Sequence, residues 1–136
     1  MKPRDEVRRE LVEQWLAKAE EDFAVAGQLA SGEEPFWASA AFHAQQAAEK
    51  YLKAFLVEHQ TEFRKTHDLG ALLDLVAEID KAFADSLGDL TALNPYGVEA
   101  RYPGDYPDVG RQDAEEAVSL AGRVRQAVRR ALGCRE

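Results

Sequence analysis

EPFWASAAFHAQQAAEKYLKAFL, residues 34–56, reads as one long helix. Trp37, Ala40, Ala41, Ala44, Ala47, Ala48, Tyr51, Leu52 and Phe55 recur every three or four positions, which is the period of a single helical face. Much of that face is alanine. Small side chains let a neighbouring helix approach closely, so the stretch belongs at the centre of a helical bundle. Glu34-Pro35 opens it, since proline fits a first turn where its missing N–H is not needed. Glu49 and Lys53 form an i,i+4 pair assigned to the helix surface. Gln45, Gln46, Lys50 and Lys53 read as a solvated face.

The same period extends in both directions. Upstream, Val7, Leu11, Trp15, Ala19, Phe23, Ala26 and Ala30 give one stripe of a helix from Asp5 to Ala30. Ser31-Gly32 stops it, with glycine expected in the left-handed cap conformation. Downstream, the polar link HQTEFRKTHD (59–68) ends with Thr66 or His67 before Asp68, whose charge suits the positive end of a new helix. Leu69, Leu72, Leu73, Val76 and Ile79 mark the third helix. Phe83, Leu87, Leu90 and Leu93 mark a short one weakened by Gly88. Ala114, Ala117, Val118, Ala121, Val124, Val128 and Leu132 mark the last, closed by Gly133. No strand-like alternation competes. The expected fold is all-α: an antiparallel up-and-down bundle of four long helices plus a short extra helix, as one domain over residues 1–136.

A chain of 136 residues with 46% hydrophobic and 31% charged content can bury an adequate core. Its formal charge of −8 argues against broad binding to a DNA duplex, which requires a basic surface, and leaves room for a small basic site. The lone Cys134 cannot form an internal disulfide, and the opening MKPRDEVRRE has no apolar core of a signal peptide. No apolar run approaches the ~20 residues of a membrane span. A cytoplasmic protein without a membrane anchor is expected.

One segment departs from this pattern. NPYGVEARYPGDYPDVG, residues 94–110, is read as a long loop holding three Pro, three Gly, three Tyr and one Arg. Loops of that length in a compact domain are functional or disordered, and the tyrosines argue against disorder. Arg101 offers a planar fork suited to phosphate, and Tyr96, Tyr102 and Tyr106 offer faces on which bases stack. Equally, Arg101 could pair with Asp105 or Glu99 while the tyrosines plug the bundle end. His43 shares a helical face with Gln46, Ala47 and Lys50, either as a partly buried histidine bonded to a neighbour or as a ligand contact. His67, beside Arg64 and Lys65, is a helix cap or a proton carrier. The histidines His43, His59 and His67 include no i,i+4 pair and there is no cysteine pair, so no metal site is expected, nor any other cofactor.

WLAKAEEDFAVA (15–26), AAFHAQQAAEKYLKAFL (40–56), THDLGALL (66–73) and EARYPGDY (99–106) together resemble the HEPN family of small helical domains, across nearly the whole chain. The resemblance implies a homodimer and, in many prokaryotic members, a minimal nucleotidyltransferase partner in a toxin–antitoxin pair. Active members are metal-independent ribonucleases with an arginine and, a few residues on, a histidine at the start of the last long helix. Some partners add AMP to a tyrosine near that motif; Tyr102 and Tyr106 are the nearest here. Arg101 matches the family's arginine, but Tyr106, Pro107 and Asp108 stand where the histidine would be. No histidine follows His67. The expected function is therefore a nucleotide- or RNA-associated binding module without ribonuclease activity, partnered by a nucleotidyltransferase. Its ligand contacts would be Arg101, Tyr102, Tyr106, Tyr96, His43 and Lys50. The alternative is a divergent endoribonuclease using Arg101, with Tyr102 or Tyr106 assisting and His67 or His43 as acid or base.

Overall fold

The computed structural model describes residues 3–32, 36–97 and 108–133. Its helices are α1 (Arg4–Ser31), α2 (Trp37–Glu58), α3 (Leu69–Ile79), α4 (Lys81–Ser86) and α5 (Arg111–Ala131), with a 3-10 segment over Gly88–Tyr96. No strand occurs among the described residues, and the all-α bundle expected from the periodicity is the fold.

The alanine-rich face of α2 lies at the centre: Ala40, Ala41, Ala44, Ala47 and Ala48 are fully buried. α1 runs antiparallel to α2, since Arg8 reaches Glu58 near the end of α2 at 3.5 Å while Asp22 meets His43 near its start at 2.9 Å. α1 is also antiparallel to α5. Phe23 sits beside Gly122, and Glu20 accepts from Arg125 and Arg129 one to two turns further along α5. α3, α4 and the 3-10 segment carry the chain across the open side of α2, where the rings of Phe55 and Phe83 stack with centroids 4.8 Å apart. A single core cluster joins these elements.

Several local expectations are corrected. Val7 and Leu11 do not face the core; they are 41% and 43% exposed, while Val12 is buried. Steps of four residues overshoot a helical turn by about 40° each, so the stripe drifts by about 120° between Val7 and Ala19. Gly32 is extended, at φ −71° and ψ 171°, and closes α1 by donating to the Gln28 carbonyl at 3.1 Å. Glu34-Pro35 lies outside the described residues, and α2 begins at Trp37. The fourth helix is split. α4 ends at Ser86, and a 3-10 segment starting at Gly88 continues to Tyr96, into what the sequence suggests is loop. Gly133 takes the left-handed conformation, at φ +77°, just past α5.

Candidate functional site

Gln45, Glu49 and Lys53 follow one another at single-turn intervals along α2. The sequence places Gln45 and Lys53 on a solvated face and the Glu49–Lys53 pair on the surface; all three are buried. The reason is tertiary: the link of residues 59–68 folds over this polar side of the helix. Glu49 Oε2 accepts from Lys53 Nζ at 3.0 Å, and Glu49 Oε1 lies 2.8 Å from His67 Nδ1. The Lys53 ammonium stands 5.4 Å from the Trp15 ring and 5.7 Å from the Phe63 ring. A buried carboxylate requires such company, because an unpaired one would cost far more than the fold can supply.

His67 differs from its partners in being 59% exposed. A carboxylate only accepts hydrogen bonds, so the neutral ring carries its hydrogen on Nδ1 and leaves the Nε2 lone pair free. The capping role belongs to Asp68, whose Oδ1 accepts from Gly70 N at 2.9 Å. Asn94 joins the two segments: its Oδ1 accepts from Leu69 N at 2.9 Å and its Nδ2 donates to Asp68 Oδ1 at 3.2 Å.

Gln45 connects His67 to the tyrosine-rich segment. Its Nε2 donates to the His67 carbonyl at 3.1 Å, and its Oε1 accepts from Gln46 at 2.7 Å. Gly97 lies directly against this amide; a Cβ there would fall 2.8 Å from Gln45 Cδ and Nε2. Glycine is present at 97 because only glycine allows that approach. Tyr96 is half-buried, and burial, followed by the Asp113 and Glu116 carboxylates of α5, raises its phenol above the ordinary value. On the far side of residues 98–107, Gly110 N donates to Asp113 Oδ2 at 3.0 Å as α5 begins. Arg101, Tyr102 and Tyr106, and the alternative partners Glu99 and Asp105, lie outside the described residues.

His43 and Lys50 do share a face, and both are held by Asp22 of α1: His43 Nδ1 at 2.9 Å, and the Lys50 ammonium on the other oxygen. They are not joined to His67. On the α5 side of α1, Tyr51 donates to Glu20 Oε1 at 2.9 Å, and Glu20 also accepts from Arg125 and Arg129. Burial first, then the Glu20 carboxylate, pushes the Tyr51 phenol far up. Asp22, Glu20 and the inward orientation of Glu49 are not evident in the sequence, because each carboxylate meets at least one partner on a different segment.

A cleft of about 400 Å³ opens between the link and the first turns of α3. Glu62, Phe63, Arg64, Lys65, Leu72 and Leu75 are among the residues that line it. Arg64 and Lys65 are exposed and make no ion pair among the described residues. Nor, among the described residues, do three His, Cys, Asp or Glu side chains gather where they could hold a metal ion. No described helix is long and apolar enough to cross a membrane.

The HEPN domain model matches residues 12–131. The chain belongs to the HEPN family. Two solved structures resemble it over 88% of this chain and 96% of theirs. TT1696 from Thermus thermophilus is 28% identical with a TM-score of 0.65, and ST0689, an archaeal HEPN homologue, is 27% identical with a TM-score of 0.68. No curated protein matches. HEPN domains commonly dimerise. Within this HEPN fold, the α2–α3 link and Gly97, where the chain enters the Arg101 segment, meet the same side chain, Gln45.

Proposed function

We propose that this HEPN protein is a cytoplasmic, homodimeric, nucleotide- or RNA-associated module that partners a minimal nucleotidyltransferase in a toxin–antitoxin-like pair. Its ligand end is the base of residues 98–107. Arg101 grips phosphate there, and Tyr96, Tyr102 and Tyr106 offer stacking faces. The observation that supports this is the seating of Gly97 on Gln45, which fixes where the chain enters the Arg101 segment. That segment contains no imidazole, so by itself it binds without cutting. His43 and Lys50, engaged by Asp22, contribute less to the ligand set.

Binding of single-stranded RNA and of ATP by the wild type and by Arg101→Ala tests this reading. Losing a charged fork on phosphate weakens binding by about tenfold or more. Unchanged affinity for both ligands overturns it. A second reading, the metal-independent endoribonuclease using Arg101, is favoured by one observation: an oriented and exposed imidazole, His67, stands beside the Gln45 that meets Gly97.

A further inference from the structure

Gly27 lies in the interior of α1, where glycine weakens a helix relative to alanine. No neighbour requires it: a Cβ there would meet nothing within 4 Å. What the missing side chain does is keep open the floor of a pocket of about 480 Å³, a size within the usual range for small-molecule sites. The pocket lies where the end of α1 meets the first turns of α2 and α5. Gly27, Ala30 and Gly32 form its α1 wall, and Trp37, Arg111 and Glu115 supply its chemistry. The Trp37 indole is half-buried, and the exposed Arg111 guanidinium stands 5.5 Å from its ring centroid. Such a contact is weak at an exposed site, so a planar ligand can take its place. Glu115 follows Arg111 by one turn of α5, yet neither makes an ion pair among the described residues. The pocket therefore offers an aromatic face, a cation held only by that face, and an exposed carboxylate.

From this juxtaposition we infer that the pocket binds one guanosine phosphate, either as a free nucleotide or as one residue of single-stranded RNA. The ligand class rests on the proposed nucleotide association; the residues are separate from the Arg101 set. The base stacks on Trp37. Arg111 leaves the indole for the phosphate, which its planar fork suits. Glu115 repels phosphate and only accepts hydrogen bonds, so it serves the base edge. Guanine alone among the RNA bases sets two adjacent N–H donors on its Watson–Crick edge, one for each carboxylate oxygen. Gly27 gives the ring its room.

The test is calorimetric titration of the full chain with GMP, guanosine, AMP and UMP, with tryptophan emission followed in parallel. GMP binds about tenfold more tightly than AMP or UMP, within the range that a paired base contact discriminates. It quenches emission, and the quenching is lost in Trp37→Phe. Arg111→Ala weakens GMP about tenfold and leaves guanosine unchanged. Glu115→Gln brings GMP to the level of AMP. Gly27→Leu fills the floor and abolishes GMP binding, while its unfolding temperature holds or rises because leucine is the better helix former. Quenching by a single-stranded RNA oligomer containing guanine as well as by GMP marks RNA as the source, and quenching by GMP alone marks the free nucleotide. Equal affinity for the three nucleotides, GMP binding unchanged in Gly27→Leu, or quenching that survives Trp37→Phe overturns the inference. If GMP does not bind while RNA binding still depends on Arg101, the pocket falls and the proposed function stands. If GMP binds as described while Arg101→Ala binds RNA as the wild type does, the proposed function falls and the pocket stands.

Discussion

Lys53 Nζ lies 3.0 Å from Glu49 Oε2 with the two side chains 6% and 3% exposed, whereas Lys81 and Asp85, equally spaced and 2.9 Å apart, are 80% and 64% exposed. One spacing therefore serves two energetic situations. Lys53→Ala leaves a buried carboxylate unbalanced and removes the stem between Trp15 and Phe63; the expected loss is about 3 kcal/mol or more. Lys81→Ala is expected to cost less than about 0.5 kcal/mol. Urea unfolding of the two variants checks this. Equal losses would mean that Glu49 is solvated.

Gly97→Ala tests the contact between the tyrosine-rich segment and α2. The added methyl would fall 2.8 Å from an amide that is itself bonded at both ends. Gln45 must then give up its bond to the His67 carbonyl, at a cost of about 1–3 kcal/mol from crowding and a lost hydrogen bond. Thermal unfolding measures the loss, and backbone amide shifts at residues 66–68 should move with it. A neutral substitution with unmoved shifts would show that the two segments are uncoupled.

Tyr51 links stability to alkaline pH. The unfolded phenol ionises near its ordinary value of 10.0, while the folded one holds its proton to higher pH. Its contribution is therefore complete below pH 10 and falls as pH rises beyond that value, because only the unfolded state releases the proton. Tyr51→Phe is expected to cost about 1 kcal/mol at neutral pH through the lost bond to Glu20. The same variant should flatten the decline in stability above about pH 10, as denaturant titrations at several alkaline pH values would reveal. An unchanged slope would place the phenol in solvent.

The phase of α1 gives a fourth check. Val12→Ala removes buried surface and is expected to cost about 1–2 kcal/mol, whereas Leu11→Ala, on the exposed side, costs less than about 0.5 kcal/mol. The reverse order in thermal unfolding would restore the stripe that begins at Val7.

That correction shows where the sequence is readable. Periodicity locates the long helices, and the alanines of α2 announce its central position, because close packing demands small residues at helical spacing. The phase within α1 is less visible, since a run of four-residue steps turns gradually away from the core. The buried polar side of α2 is not visible at all. Gln45, Glu49 and Lys53 have the composition of a wet surface, and only the fold of the 59–68 link encloses them. The candidate site divides in the same way. His67 stands out in the sequence by its basic neighbours, but its carboxylate lies 18 positions away on α2.

The aromatic surroundings of Lys53 make Trp15 an optical sensor of the α2–α3 link. The indole meets the Phe63 ring edge-on at 6.2 Å, and Phe63 also lines the cleft with Arg64 and Lys65. With Trp37→Phe, the remaining indole emits from against Phe63, so its fluorescence reports through that ring on changes in the cleft, without any attached dye.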